Sequence, residues 1–252
     1  MKRVVLLKSE SDSVDNYTTL LQAHNFEPIF VPTLEFRFKF LDKLREKLQA
    51  PDMYSGIVFT SPRSVEACEV ALSEVGIKLP EKWSKLHNYC VGEVTHNLIH
   101  VALDLNARGK HTGNSNNLAD FIFENLEGAR LQYPFIFPCG NLRQDTLQLK
   151  LMDYGYYLDA IEVYETVAHS DLESNLKQAL IDDKAEYLAF FSPSGVNYTT
   201  AILRKLDVNL ANYKLIAIGP STRKCLETNG FKVYKTAEKP SVEYLVKALL
   251  ES

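Results

Sequence analysis

The chain lacks the residue clusters that announce most kinds of chemistry. Its four cysteines, Cys68, Cys90, Cys139 and Cys225, are scattered with no CxxC pair, so neither a zinc ribbon nor a disulfide framework is indicated. His96 and His100 stand four apart on an expected helix, but no third ligand or partnering glutamate of the HExxH kind accompanies them, and they read as a surface pair. There is no GxGxxG, no GxxxxGK[ST], no GxSxG and no clustered Asp/Glu pair of the metal-binding type. Nucleotide cofactors and metal catalysis both lose ground, and no cofactor and no metal is expected. Positive charge is not in excess either: the formal net charge is −4 over 252 residues, with no basic run and no aromatic stacking motif, which argues against a nucleic-acid surface. Long apolar runs are missing too. The opening MKRVVLLKSESD has four apolar residues before a lysine, too few for a signal peptide or a spanning helix. A cytosolic protein without a membrane partner is expected.

What the chain does have is a repeat. IVFTSPRSV (57–65) and LAFFSPSGV (188–196) are nearly the same segment, and YCVGEVTHNL (89–98) parallels IAIGPSTRKCL (216–226). RVVLLKSE (3–10) has a looser counterpart in FIFPCGNL (135–142), EPIFVPT (27–33) in LDAIEVYET (158–166), and ARGKHTGNSNNLADFI (107–122) in KVYKTAEKPSVEYLV (232–246). Offsets that agree this closely mark a pseudo-duplication. Each half is long enough for a small α/β lobe with its own core, and 46% hydrophobic with 24% charged residues is the balance of a globular protein.

Short apolar runs at 4–7, 57–60, 135–137, 188–191 and 215–218 alternate with helical-period segments such as LREKLQ and EYLVKALL. That alternation predicts α/β architecture, with parallel sheets covered by helices on both faces. Such sheets bind ligands at the carboxyl ends of their strands. In both twin segments the apolar run ends in Ser-Pro, which sets Ser61 and Ser192 as N-caps and proline as the first helical residue. The helix N–H groups beyond them form an anion-binding mouth, and two such mouths suit one ligand with many negative groups held in a cleft between similar lobes. Thr60, Ser61, Ser64, Thr95, Ser192, Ser194, Ser221 and Thr222 are the hydroxyls at these strand ends. Capping alone justifies any one of them, yet the same context recurs in both halves. Cys139 follows a strand and precedes Gly140 and Asn141 at an expected helix start, where a thiol pKa can fall; no base adjacent in sequence supports a nucleophile.

Five motifs, FTSPRSVEA (59–67), FPCGNLR (137–143), VYETVAH (163–169), FFSPSG (190–195) and AIGPST (217–222), are specific in their order and spacing. Through them the chain resembles, over essentially its whole length, the uroporphyrinogen-III synthases of tetrapyrrole biosynthesis, and specifically their animal branch. The resemblance implies a discontinuous first lobe (1–34 and 168–252), a second lobe (37–163) and a two-stranded connector (32–36 and 162–169). The repeat alone predicts instead two sequential domains, split near Gly128. The implied enzyme is a cyclising hydro-lyase of porphyrin and heme biosynthesis. Its substrate is hydroxymethylbilane, a linear tetrapyrrole with acetate and propionate groups on every ring. The product, uroporphyrinogen III, forms with loss of water and inversion of ring D through a spirocyclic intermediate. Carboxylates can be bound by backbone N–H groups without a strongly basic protein, and loss of the hydroxyl is assisted by the substrate's own pyrrole nitrogen.

By the same resemblance Tyr164 is the proton donor and Thr222 a second catalytic residue. Thr60, Ser61, Arg63, Thr95, Gly140, Asn141, Ser192, Ser194, Lys214, Gly219 and Ser221 are implied to bind substrate. Tyr164 can equally be a connector tyrosine packed between lobes, and Arg63 can form a surface ion pair instead of meeting a carboxylate. One departure is Ser221, where animal relatives commonly carry a threonine; the hydroxyl is kept. A monomer is expected, with hydroxymethylbilane as the small-molecule partner and a transient contact with the enzyme that makes it left open. Two other readings remain: a two-lobed binding module for a polycarboxylate without catalysis, and a sugar-phosphate or nucleotide enzyme on a flavodoxin-like fold. The latter should carry a dense glycine-rich loop, and GNSNN (113–117), which reads as a polar loop, is the nearest stretch.

Overall fold

The computed structural model describes residues 1–9, 16–126, 130–182 and 184–251, with the side chain of 182 excepted. Gly128 lies outside the described residues. Along the chain run β1 (Lys2–Leu7), α1 (Asn16–Ala23), β2 (Phe26–Phe30), β3 (Leu34–Phe38), α2 (Leu41–Leu48), β4 (Gly56–Phe59), α3 (Pro62–Ser73), β5 (Tyr89–Cys90), α4 (Glu93–Leu103) and α5 (Ser115–Leu126). They are followed by β6 (Phe135–Gly140), α6 (Thr146–Asp153), β7 (Leu158–Ala168), α7 (Leu172–Lys177), β8 (Tyr187–Phe190), α8 (Pro193–Lys205), β9 (Lys214–Ala217), α9 (Pro220–Thr228), β10 (Lys235–Thr236) and α10 (Val242–Leu250). Two compact units result: Met1–Glu35 with Val167–Ser252, and Phe36–Thr166. The chain passes from one to the other within β3 and within β7.

The first unit holds a parallel sheet in the order β10-β9-β8-β1-β2. Its strands are apolar on both faces because both faces are covered. Val5 and Leu7 point into one core with Leu188, Phe190, Leu215 and Ala217, while Val4 and Leu6 point into the other with Tyr187, Ala189 and Ile216. This is the two-residue period of a pleated strand. Each fully buried Leu, Ile or Val contributes about 1.5–3 kcal/mol relative to exposure.

The second unit holds the order β3-β7-β6-β4-β5, and the β7, β6, β4 and β5 pairings are parallel. Ile57, Phe59 and Ile136 face one core; Val58, Phe135 and Phe137 face the other. The repeated segments occupy equivalent places. β8 stands for β4, β9 for β5, β1 for β6 and β2 for β7, and the isolated Tyr89–Arg108 bridge takes the place of the β10–β9 pairing. Each unit therefore draws its early strands from one sequence repeat and its later strands from the other.

One expectation is corrected. No helix begins at Gly140 and Asn141: β6 runs through Gly140, a turn follows, and α6 starts at Thr146. Asn141 is used otherwise, its Oδ1 accepting the Thr166 N–H at 2.9 Å and its own N–H donating to the Tyr164 carbonyl at 3.2 Å. Among the described residues no helix is long and apolar enough to cross a membrane.

Candidate active site

In the second unit the fully buried strand β4 leads through Thr60 into Ser61, whose extended backbone (φ −153°, ψ 152°) stops the strand and caps α3. Ser61 Oγ accepts the Ser64 N–H at 3.3 Å, Ser64 Oγ donates to the Ser61 carbonyl at 2.6 Å, and Pro62 opens the helix with no N–H to leave unsatisfied. The first unit repeats this geometry. Ser192 has φ −156° and ψ 155°, accepts the Gly195 N–H at 3.0 Å, and is followed by Pro193.

Beside the Ser61 turn, β6 and β7 pair with a register shift between Cys139 and Gly140, which puts Tyr164 opposite Gly140. The Tyr164 hydroxyl lies 3.0 Å from Ser61 Oγ, with either group able to donate. Thr60, Ser61, Gly140, Tyr164 and Thr166 line a cavity of about 240 Å3. Drug-sized ligands occupy roughly 300–1,000 Å3, so this volume takes part of a large ligand, not all of it. Phe36 meets the Tyr164 ring edge to face at 6.2 Å, and the Arg63 guanidinium sits 4.5 Å above Phe36. Arg63 also pairs with Glu66 at 2.5 Å one helical turn on.

Six lining residues, Ser115, Phe137, Leu142, Arg143, Gln144 and Thr166, were not among the candidates read from the sequence. Arg143 reaches the same cavity. Its Nε is buried without a partner, and its contact with Glu162 is a long 3.6 Å. Glu162 is occupied by Lys39 at 3.0 Å, and the hydrogen bond from Lys39 is the main cause holding its carboxyl below the usual range. Ser115 lines the cavity from the start of α5. GNSNN is only partly a loop, because Asn114 Oδ1 accepts the Asn117 N–H at 2.9 Å and so caps α5. An Asn ahead of the apolar period at Leu118 and Ile122 is the signal that marks this helix start.

Thr60, Ser61, Arg63, Gly140, Asn141 and Tyr164 thus come together, and Thr95 follows β5 at the same sheet edge, as the third residue of α4. Ser192, Ser194, Gly219, Ser221 and Thr222 come together in the first unit, at the carboxyl ends of β8 and β9. Ser192 Oγ and Ser194 Oγ are 3.2 Å apart, and Gly219 is the N-cap of α9. Thr222 is the third residue of α9, matching Thr95, and little of either side chain reaches solvent (1% and 3% exposed). Lys214 does not join them. It opens β9, about 10 Å along the strand from its carboxyl end, with Nζ 3.3 Å from the Tyr187 hydroxyl. Cys139 is no nucleophile: burial pushes its thiol up to about 11, and it donates to the Ile161 carbonyl at 3.4 Å.

Residues 15–247 match the family described as Uroporphyrinogen-III synthase HemD. The chain belongs to the uroporphyrinogen-III synthase family. As a uroporphyrinogen-III synthase it is a cyclising hydro-lyase of porphyrin and heme biosynthesis, acting on a small-molecule tetrapyrrole. The synthase of Saccharomyces cerevisiae is 29% identical to it, over 98% of this chain and 95% of its own, and that of Schizosaccharomyces pombe 25%, over 99% and 97%. The fold is similar to that of the Helicobacter pylori synthase, with a TM-score of 0.65, 18% identity and coverage of 100% of this chain and 99% of that one. It is also similar to a Thermus thermophilus uroporphyrinogen III synthase mutant, with a TM-score of 0.60, 17% identity and complete coverage of both chains.

Proposed function

We propose that the substrate of this synthase is hydroxymethylbilane, cyclised to uroporphyrinogen III with loss of water and inversion of ring D through a spirocyclic intermediate. The observation that carries the site assignment is the Tyr164 hydroxyl 3.0 Å from Ser61 Oγ, at a cavity that also holds the under-partnered Arg143. One phenolic hydroxyl and one cation stand where a helix mouth opens, a donor for a departing hydroxyl beside groups that bind carboxylates.

In this reading the substrate's pyrrole nitrogen pushes out the hydroxyl of the terminal hydroxymethyl group, and Tyr164 protonates it so that it leaves as water. The proton released when the pyrrole system regains aromaticity restores the phenol. Arg143, Arg63 and the capping turn of Thr60 and Ser61 hold carboxylates, with Gly140 and Asn141 shaping the wall. Ser192 with Ser194, and Gly219 with Ser221 and Thr222, offer carboxylates the same chemistry in the first unit. Most of the rate arises from holding the terminal ring so that its substituted carbon attacks first.

The reading has the chain act as a cytosolic monomer, eluting as one 28.6 kDa chain, and receive the bilane from the enzyme that makes it. The test is to supply hydroxymethylbilane to purified protein and identify the macrocycle. Type III is expected. Only type I, the product of spontaneous closure, at the uncatalysed rate would overturn the reading.

A further inference from the structure

The sheet of the second unit ends in β3, and one face of that strand is aromatic. Phe36 and Phe38 are two residues apart and so share a face; they are 40% and 37% exposed, and Phe40, just beyond the strand, is 52% exposed. None of the three belongs to a buried cluster. Exposed aromatics on an edge strand invite unwanted pairing with other chains, so core packing does not explain them.

Their surroundings point to a ligand. Phe36 adjoins the cavity through its edge-to-face contact with Tyr164 and carries the Arg63 guanidinium over its ring. Lys39 and Lys43 lie 5.5 and 5.2 Å from the centre of the Phe40 ring. The surface therefore mixes aromatic rings with cations, and a chain of electron-rich pyrroles bearing carboxylates is the complementary ligand. A cavity of about 240 Å3 leaves most of a tetrapyrrole outside it, on the surface that adjoins it.

We propose that Phe36 and Phe38 are pyrrole-binding residues: they contact rings of the tetrapyrrole that lie outside the Tyr164 cavity, and Arg63, held over Phe36, pairs with a carboxylate of the ring bound there. This rests on the function proposed above. It adds to that reading a ring-binding face distinct from the hydroxyls and helix mouths that bind carboxylates.

The test uses the full chain with Phe36→Leu, Phe38→Leu, the double variant and Phe36→Tyr, measuring kcat, KM and the isomer formed from hydroxymethylbilane. Each Leu variant is expected to raise KM about 3- to 10-fold with little change in kcat, and Phe36→Tyr to restore KM. Phe38→Leu matters most, because the ring contact with Tyr164 and the cation–π contact with Arg63 are both made by Phe36. A double variant with the KM of the parent overturns the proposal, as does a loss confined to kcat, which would make Phe36 a support for Tyr164 alone. If the parent chain forms only type I macrocycle, it is the proposed function that fails. The ring-binding face is then read by titrating uroporphyrin III fluorescence: weaker binding by the double variant upholds it, and equal binding overturns it.

Discussion

A methyl group on Gly140 would lie 2.5 Å from Cε2 of Tyr164 and 2.9 Å from its hydroxyl. The Tyr164 ring lies across the bare backbone of its register partner, and that close approach sets the phenol beside Ser61. Gly140→Ala is expected to fold but to swing the ring off Ser61. The cost is about 1–3 kcal/mol of stability, as for other overpacked sites, with a fall in kcat larger than the stability loss explains. Thermal unfolding and steady-state kinetics on the same preparation separate the two effects.

Tyr164→Phe keeps the ring against Phe36 and removes the hydroxyl, and with it the contact to Ser61 Oγ. Turnover should fall about tenfold or more while KM moves little, because a proton donor acts mainly in the transition state. An unchanged kcat in purified protein removes Tyr164 from the mechanism.

Ser61 and Ser192 have backbone angles within 3° of each other in both φ and ψ. Their alanine variants should therefore show similar capping losses, each about 0.5–2 kcal/mol in urea unfolding. Substitutions at Thr60 and Ser61 are further expected to raise KM more than they lower kcat. A Ser61 variant with normal substrate affinity would count against carboxylate binding at that helix mouth.

Arg143→Gln separates binding from stability in the opposite sense. The long contact with the half-exposed Glu162 contributes little, and the buried Nε has no partner to lose, so thermal stability should hold. Loss of a charge-assisted bond to a substrate carboxylate should raise KM about tenfold. A KM that stays put would show that Arg143 serves only the fold.

Glu162 gives a pH signature. Its carboxyl is held below the ordinary value first by the hydrogen bond from Lys39. A group depressed in the folded state adds stability above its unfolded pKa of about 4.3, and that stability disappears as pH falls through the folded value. The parent chain should lose Tm on the acid side of pH 4 more steeply than Glu162→Gln, by a small margin because the side chain is 38% exposed. Parallel Tm profiles from pH 3 to 6 would show no linkage.

Much of the site could be read from local sequence. Ser61-Pro62 and Ser192-Pro193 announce their caps because an N-cap and a proline at the first helical position are decided within four residues. Arg143 could not be read this way: its closeness to Tyr164 depends on the β6–β7 pairing and on the register shift at Cys139, both set by residues some twenty positions apart. The expected helix start at Gly140 failed for the same reason, since the Asn141 side chain is taken by Thr166 on the neighbouring strand. Lys214 was grouped with the site by resemblance, yet it stands at the start of its strand instead of beyond the end.

By itself the sequence determined the elements, their alternation, the caps and the duplication, all of which follow from hydrophobic period and turn chemistry over short spans. Tertiary structure decided which strands share a sheet. Val4 pairs with Tyr187 and Gly56 with Phe135, so each unit joins halves of two different repeats. The repeats present similar apolar strands and the same Ser-Pro caps, so local pattern does not distinguish which sheet a strand joins. Only where the chain can cross, within β3 and β7, settles which partner each strand takes.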